Sequence, residues 1–276
     1  MIEIGQRASL TILREKPVGL FLDAENLGEI LLPRREMPKE WLLGTTLDVF
    51  IYLDSEDRLV ATLKQPRAMP GEFAKLKCIA LTEVGAFLEW GLPKDLLVPF
   101  REQKMRMETG KSYLVKILLD ESSRRLMATT RIARHIDITP AIYESGEAVD
   151  LIVYGKTPMG YKAIVNNAHT GLIFANEVFQ ELALGEKLKG YIAAVRGDGK
   201  LDLTLHPPGR ERVDDLEKQI MGELVARGGY WAISDKSPAE EIYAELGVSK
   251  RTFKQTVGAL LKKRLVTLTD AGIRLN

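Results

Sequence analysis

The chain has 276 residues, 45% of them apolar, and its 39 basic and 38 acidic side chains leave a net charge of +1. No apolar run approaches membrane-spanning length, and no charged-then-apolar leader opens the sequence, so a cytoplasmic protein with no membrane partner is expected. A single cysteine, Cys78, excludes an internal disulfide framework and a cysteine-cluster zinc site, and the length suits several domains rather than one.

From the N-terminus, glycines recur in a fixed frame: Gly5, Gly19 and Gly44, then Gly71, Gly85 and Gly110, then Gly146, Gly160 and Gly185. In each set the first two are 14 residues apart and the next two 25. Each set then closes on a basic residue: Arg58-Leu59-Val60-Ala61-Thr62, Arg125-Leu126-Met127-Ala128-Thr129 and Lys200-Leu201-Asp202-Leu203-Thr204. Such a register signals three copies of one module. After each first glycine the apolar residues alternate (Ala8, Leu10, Ile12; Ala74, Leu76, Cys78; Val149, Leu151, Val153), the mark of a strand with one buried face. A second strand follows the second glycine. A third is Glu29-Ile30-Leu31-Leu32, matched by Asp95-Leu96-Leu97-Val98 and by Thr170-Gly171-Leu172-Ile173-Phe174. A loop and two more strands complete the unit. Five short strands with glycines at sharp bends predict a five-stranded OB barrel.

The expected boundaries are barrels over residues 1–66, 67–135 and 136–209, followed by a different domain over 210–276. The first module carries Asp54, Glu56 and Asp57 near its end, read as an acidic turn rather than a metal site, with Arg34-Arg35 in a solvated loop. The linker Gln65-Pro66-Arg67-Ala68-Met69-Pro70 bears two prolines that stiffen it. In the second module Lys and Arg outnumber Asp and Glu thirteen to eight, whereas acidic residues predominate in the first and third. Lys75 and Lys77 alternate with Leu76 and Cys78 and therefore lie outside the core. Gly110-Lys111-Ser112 resembles the end of a phosphate-binding loop, but Met105 stands where that loop requires its first glycine.

Beyond His206-Pro207-Pro208-Gly209 the alternation gives way to helical periodicity. Asp214 to Ala226 predicts a helix closed by Gly228-Gly229. Ser237-Pro238-Ala239-Glu240 reads as an N-cap with a capping-box glutamate. Ser249 caps a third helix whose apolar face would be Phe253, Val257, Leu260 and Leu261. Leu265 to Leu268 and Ile273 to Leu275, joined by Asp270-Ala271-Gly272, predict a hairpin. This is the element order of a winged helix. The fold class is therefore mainly β with a C-terminal α+β domain. Lys250, Arg251, Lys254 and Lys262 fall on the third helix, where such folds place a recognition helix. The same cations also suit the helix dipole, and winged helices serve as protein-contact modules too.

Gly85-Ala86-Phe87-Leu88, Asp95-Leu96-Leu97-Val98 and Asp120 with Arg125-Leu126-Met127-Ala128-Thr129 resemble segments of the ribosomal S1-type RNA-binding domain. Three such modules and a winged helix resemble the bacterial conserved virulence factor B family, whose members are described as RNA-binding regulators. The resemblance puts Phe87, and Phe21 in the first module, where an S1-like barrel stacks a base. A barrel-core phenylalanine is the alternative. Arg124 and Arg125 would hold the backbone. In the third module Lys162 replaces the phenylalanine, and Tyr161, Lys162, His169 and Phe174 form a second candidate platform.

His135, His169 and His206 are scattered, and no hydrolase, metalloprotease or dinucleotide fingerprint occurs, so no catalysis, cofactor, metal or small-molecule substrate is expected. The expected partner is single-stranded RNA, with duplex nucleic acid a further one through the winged helix. The competing readings are a DNA-binding transcription regulator led by the tail and a protein adaptor on ribosome or nuclease.

Overall fold

The computed structural model describes the chain apart from residues 176–177, 179–180, 208–209 and 270 and the side chains of residues 210–215. The first barrel is built from β1 (Arg7–Lys16), β2 (Gly19–Asp23), β3 (Glu29–Pro33), β4 (Thr46–Leu53) and β5 (Leu59–Thr62). The second comprises β6 (Phe73–Leu81), β7 (Gly85–Glu89), β8 (Leu96–Pro99), β9 (Ser112–Leu119) and β10 (Leu126–Thr129). The third comprises β11 (Ala148–Thr157), β12 (Gly160–Val165), β13 (His169–Phe174), β14 (Lys187–Val195) and β15 (Leu201–Thr204). Each closes in the order first, second, third, fifth, fourth, with only the third and fifth strands parallel. The first strand of each carries a bulge at the same point, between Ile12 and Arg14, Cys78 and Ala80, and Val153 and Gly155. Bulges bend a long strand so that it can pair on both edges and close the barrel.

The glycine frame is a conformational frame. The three sets have φ of 86°, 148° and 81°, then 91°, 152° and 87°, then 93°, 145° and 80°. At the middle glycine a side chain is excluded twice over. A Cβ on Gly19, Gly85 or Gly160 would lie 2.0–2.3 Å from a backbone carbonyl oxygen of the third strand, that of Leu32, Val98 or Ile173. The spacing visible in the sequence is thus the spacing of positive-φ bends that only glycine tolerates cheaply.

Residues Met1–Ile138 with Leu184–Glu186 form one compact unit, and Thr139–Ala183 with Lys187–Asn276 another. Within the first unit the two barrels share a core. Strand β4 is buried on both faces: Val49 and Ile51 point into barrel 1, while Phe50 and Tyr52 pack with Trp90, Leu92 and Ala68 in the core that fills barrel 2. The unbroken apolar run Val49-Phe50-Ile51-Tyr52 is the pattern of a strand covered on both sides. Ala68 of the proline-bearing linker is buried in that shared core, and Arg67 N–H donates to the Trp90 carbonyl, so the linker is fixed in place. Cys78 is fully buried, as its place in the alternation predicts.

The segment between the second and third barrels contains a single 3-10 turn, Ile132–Arg134. Barrel 3 has its own core around Leu151, Ala163, Ile173, Ile192 and Leu203. The C-terminal region contains α1 (Arg210–Ala226), β16 (Tyr230–Trp231), α2 (Ala239–Leu246), α3 (Lys250–Lys262), β17 (Val266–Thr269) and β18 (Gly272–Leu275), with the strands in the order β16-β18-β17. This is a winged helix. Ser249 caps α3 by accepting the Thr252 N–H.

Three details differ from the sequence reading. The cap of α2 is Pro238, not Ser237, whose hydroxyl instead accepts the Ser234 N–H at 3.1 Å. On α3 the buried face is Thr252, Phe253, Thr256, Val257 and Leu260, while Leu261 is 37% exposed. The wing strand begins at Val266 rather than Leu265. Asp270 of the hairpin joint and Pro208 and Gly209 of the preceding boundary lie outside the described residues.

Candidate nucleic-acid interface

The three barrels present equivalent outer faces on their second, third and fifth strands, and the pairing register aligns them. In barrel 1 Phe21 faces Leu31, which pairs with Val60. In barrel 2 Phe87 faces Leu97, which pairs with Met127. In barrel 3 Lys162 faces Leu172, which pairs with Asp202. These faces have different fates. Val60 is 4% exposed because the shared core covers that half of barrel 1. In barrel 3 Lys162 and Asp202 flank Leu172 where barrel 2 has Phe87 and Met127 beside Leu97. Barrel 2 keeps a half-buried ring and an apolar floor beneath an open groove of about 760 Å³.

That groove is lined by Phe87, Leu97, Leu126 and Met127 at its base, with Val84 and Phe100 among the apolar residues around them. Lys94, Arg101 and Arg125 bring positive charge, and Asp57, Asp95 and Asp120 balance it. Arg101 lies 4.0 Å from Glu102, and the other two cations are more closely engaged. Lys94 Nζ donates to the carbonyls of Leu53 and Asp54 at 3.0 and 2.6 Å, and burial pushes its ammonium below the ordinary lysine range. Arg125 forms an ion pair with Asp57, and that hydrogen bond holds the Asp57 carboxyl below the usual carboxylate range. Asp120 is turned inward on its own loop, accepting from the Ser122 and Ser123 hydroxyls at 2.9 and 2.5 Å. Those bonds hold its carboxyl low. Burial acts the other way on Asp95, raising it.

Lys75 and Lys77 are exposed on β6. Lys77 pairs across from Glu89, which shares a strand face with Phe87, so both lysines lie on the outer side of the sheet that carries the ring. Arg124 is exposed at a positive-φ position of the β9–β10 turn. Of the residues expected in barrel 2, Phe87 and Arg125 line the groove, while Lys75, Lys77 and Arg124 are exposed outside its lining. Leu97, Met127 and Val84 were not singled out in the sequence, although Leu97 stands between two inward residues, Leu96 and Val98, and must therefore face out.

Phe21 of barrel 1 is half-buried beneath cations, with the Arg14 guanidinium 4.5 Å and the Lys16 ammonium 5.5 Å from its ring centre. Arg14 is also paired with Glu29. The four residues expected to form a platform in barrel 3 do not come together as one. Tyr161 takes the inward position of Leu20 and Ala86 and is 7% exposed. His169 is 7% exposed and structurally bound: its Nε2 lies 2.9 Å from the Thr139 carbonyl and its Nδ1 3.0 Å from the Tyr143 hydroxyl. One tautomer, protonated at Nε2, satisfies both bonds, so the ring anchors the chain entering barrel 3. Lys162 points outward, and Phe174 is half-buried with the Arg196 guanidinium 5.8 Å from its ring centre.

On α3, Lys250 donates to the Ser237 carbonyl at 2.8 Å and so ties its helix to the start of α2. Lys254 lies 3.9 Å from Asp235, while Arg251 and Lys262 are exposed.

Residues 4–64 match the S1 domain model and residues 218–275 the model of the CvfB-like winged helix domain. The fold is therefore that of a multidomain protein assembled from domains of nucleic-acid-binding classes. Over nearly its whole length the chain is similar to YitL of Bacillus subtilis, at 29% identity over 272 residues, covering 94% of this chain and 89% of that one. It is also similar to conserved virulence factor B of Staphylococcus epidermidis, at 25% identity over 263 residues, covering 92% and 88%. The chain is thus similar to proteins of the conserved virulence factor B family over most of its length. The crystal structure of a Streptococcus pneumoniae multidomain protein with nucleic acid binding domains aligns over 99% of this chain and 98% of that one, at 22% identity and a TM-score of 0.42.

Proposed function

We propose that this protein binds single-stranded RNA on the outer face of barrel 2 and acts, without catalysing a reaction, as a post-transcriptional regulator in the cytoplasm. The observation that carries this reading is the contrast among the three equivalent faces. Among the described residues, the face of barrel 2 joins a half-buried aromatic ring to an apolar floor and a groove, whereas barrel 1 has Val60 covered and barrel 3 has Lys162 and Asp202 at the matching positions. Phe87 supplies a stacking surface, which is indifferent to base identity, and Arg101, Arg124, Arg125, Lys75 and Lys77 supply phosphate contacts around it. Unpaired bases can reach such a groove, whereas the bases of a duplex are stacked on one another. Domain limits at 66/67, 135/136 and 209/210 accompany the proposal.

The test is binding of a labelled RNA oligonucleotide to the intact chain, to Phe87→Ala and to Lys75→Ala/Lys77→Ala. Loss of a stacked base costs about 1–3 kcal/mol, and loss of phosphate contacts flattens the salt dependence. Unchanged affinity in both variants would remove barrel 2 from the account. A second reading rests on Arg251, Lys254 and Lys262 of α3, which suit duplex DNA. Truncation after residue 209 abolishes binding under that reading and leaves RNA binding under the first.

A further inference from the structure

The turn between β4 and β5 belongs to barrel 1, yet its Ser55 and Asp57 line the groove of barrel 2. It is held there from both sides. Asp54 organises the turn, with Oδ1 accepting the Glu56 and Arg58 N–H groups at 2.9 and 3.0 Å and Oδ2 receiving the Arg58 side chain at 2.9 and 2.6 Å. Lys94 of barrel 2 binds two carbonyls at the base of the same turn. Asp57 itself stands at φ 61°, which aims its side chain away from the ladder and onto Arg125. The groove is therefore a two-barrel site, and an acidic residue of one barrel occupies a cation that lines the other.

We infer that Asp57 is an internal stand-in for phosphate: when a strand enters the groove, Arg125 exchanges the Asp57 carboxylate for a backbone phosphate. This rests on the RNA-binding reading above. A carboxylate and a phosphodiester each offer a guanidinium two oxygens and one negative charge, so the exchange conserves the pairing of Arg125. The Arg125 and Asp57 side chains are 54% and 44% exposed, and a pair so open to water is a weak one that a polyanion can displace. The released carboxylate then lies beside the bound strand and opposes it. Barrel 1 thereby sets the affinity of barrel 2 for nucleic acid, although half its own equivalent face is covered.

The decisive substitution is Asp57→Asn. Asparagine tolerates positive φ at least as well as aspartate, so the turn survives while the competing charge goes. Affinity of the full chain for a single-stranded RNA oligonucleotide should rise about two- to fivefold, the reciprocal of an exposed pair's strength. The slope of log K against log salt should steepen by about 0.7, because no freed carboxylate then takes up a cation to offset the one that the phosphate releases. In an Arg125→Gln background the same substitution should lose most of that gain. If the wild-type chain binds and Asp57→Asn leaves affinity unchanged or weakens it, the stand-in role is wrong; weakening would make Asp57 a direct base contact. Failure of wild type and all variants to bind would remove the RNA reading as well.

Discussion

Trp90 is the residue on which the union of the first two barrels can be tested. Its ring is 2% exposed, meets Phe50 of barrel 1 edge-on at 6.0 Å, and donates its indole N–H to the Lys94 carbonyl at 2.6 Å. Truncation of a buried tryptophan to alanine costs about 3–5 kcal/mol, and the orphaned carbonyl adds about 1 kcal/mol or more. Trp90→Ala should therefore weaken the unit by about 4–6 kcal/mol, a large share of the ~5–15 kcal/mol that holds a domain. Because the lost contacts reach into barrel 1, the loss should be shared. Hydrogen exchange of the full chain, read by mass spectrometry, should show the slowest amides of β4 in barrel 1 and of β6 and β9 in barrel 2 falling together. Trp90→Phe, which keeps most of the apolar ring, should fall less and in the same proportion. If barrel 2 loses protection while the β4 amides keep theirs, the two barrels open independently and the shared core is a contact rather than a common folding unit.

Gly85→Ala should destabilise barrel 2 by at least about 2 kcal/mol, since its φ of 152° suits only glycine and the added Cβ would sit 2.3 Å from the Val98 carbonyl oxygen. Urea titration of the purified variant checks this; a midpoint within error of wild type would show that the strand edge can give way. Tyr52 offers a pH signature. Burial in the shared core, with the Glu36 charge as a lesser cause, pushes its phenol up from 10.0 to about 12. Between those values the unfolded chain has lost the proton and the folded one keeps it, so stability falls as pH rises through that window. Tyr52→Phe removes the effect. The stability advantage of wild type over the variant should accordingly shrink between about pH 10 and about pH 12, and a constant difference would refute the assigned burial.

Most of the fold was legible because its determinants are local and repeated. Each glycine of the frame stands where the backbone must adopt positive φ, and that demand is written into the residue itself. The barrel-3 platform failed for an equally local reason. The register that aligns Tyr161 with Leu20 and Ala86 assigns it to the core, and register decides the side of a strand whatever the residue's aromatic character. His169 could not be placed this way, since its partners Thr139 and Tyr143 come from an approach segment with no periodicity to read. The groove was half legible. Phe87 and the lysines follow from alternation, but the contributions of Ser55 and Asp57 depend on how one barrel seats against its neighbour, and nothing in either module's own pattern encodes that. The α2 cap shows the limit of motif reading: Ser237 has the right chemistry, but its hydroxyl is taken by Ser234.

The two-sided burial of β4 also bears on how a triplicated chain ages. Copies of a module begin interchangeable, and any one can be lost, moved or replaced without injury to the others. Once Phe50 and Tyr52 became part of a neighbour's interior, excising the first copy would strip the second of part of its packing. That pair is committed to inheritance as a single piece. Its members are then free to diverge in charge and surface so long as the packing between them is kept.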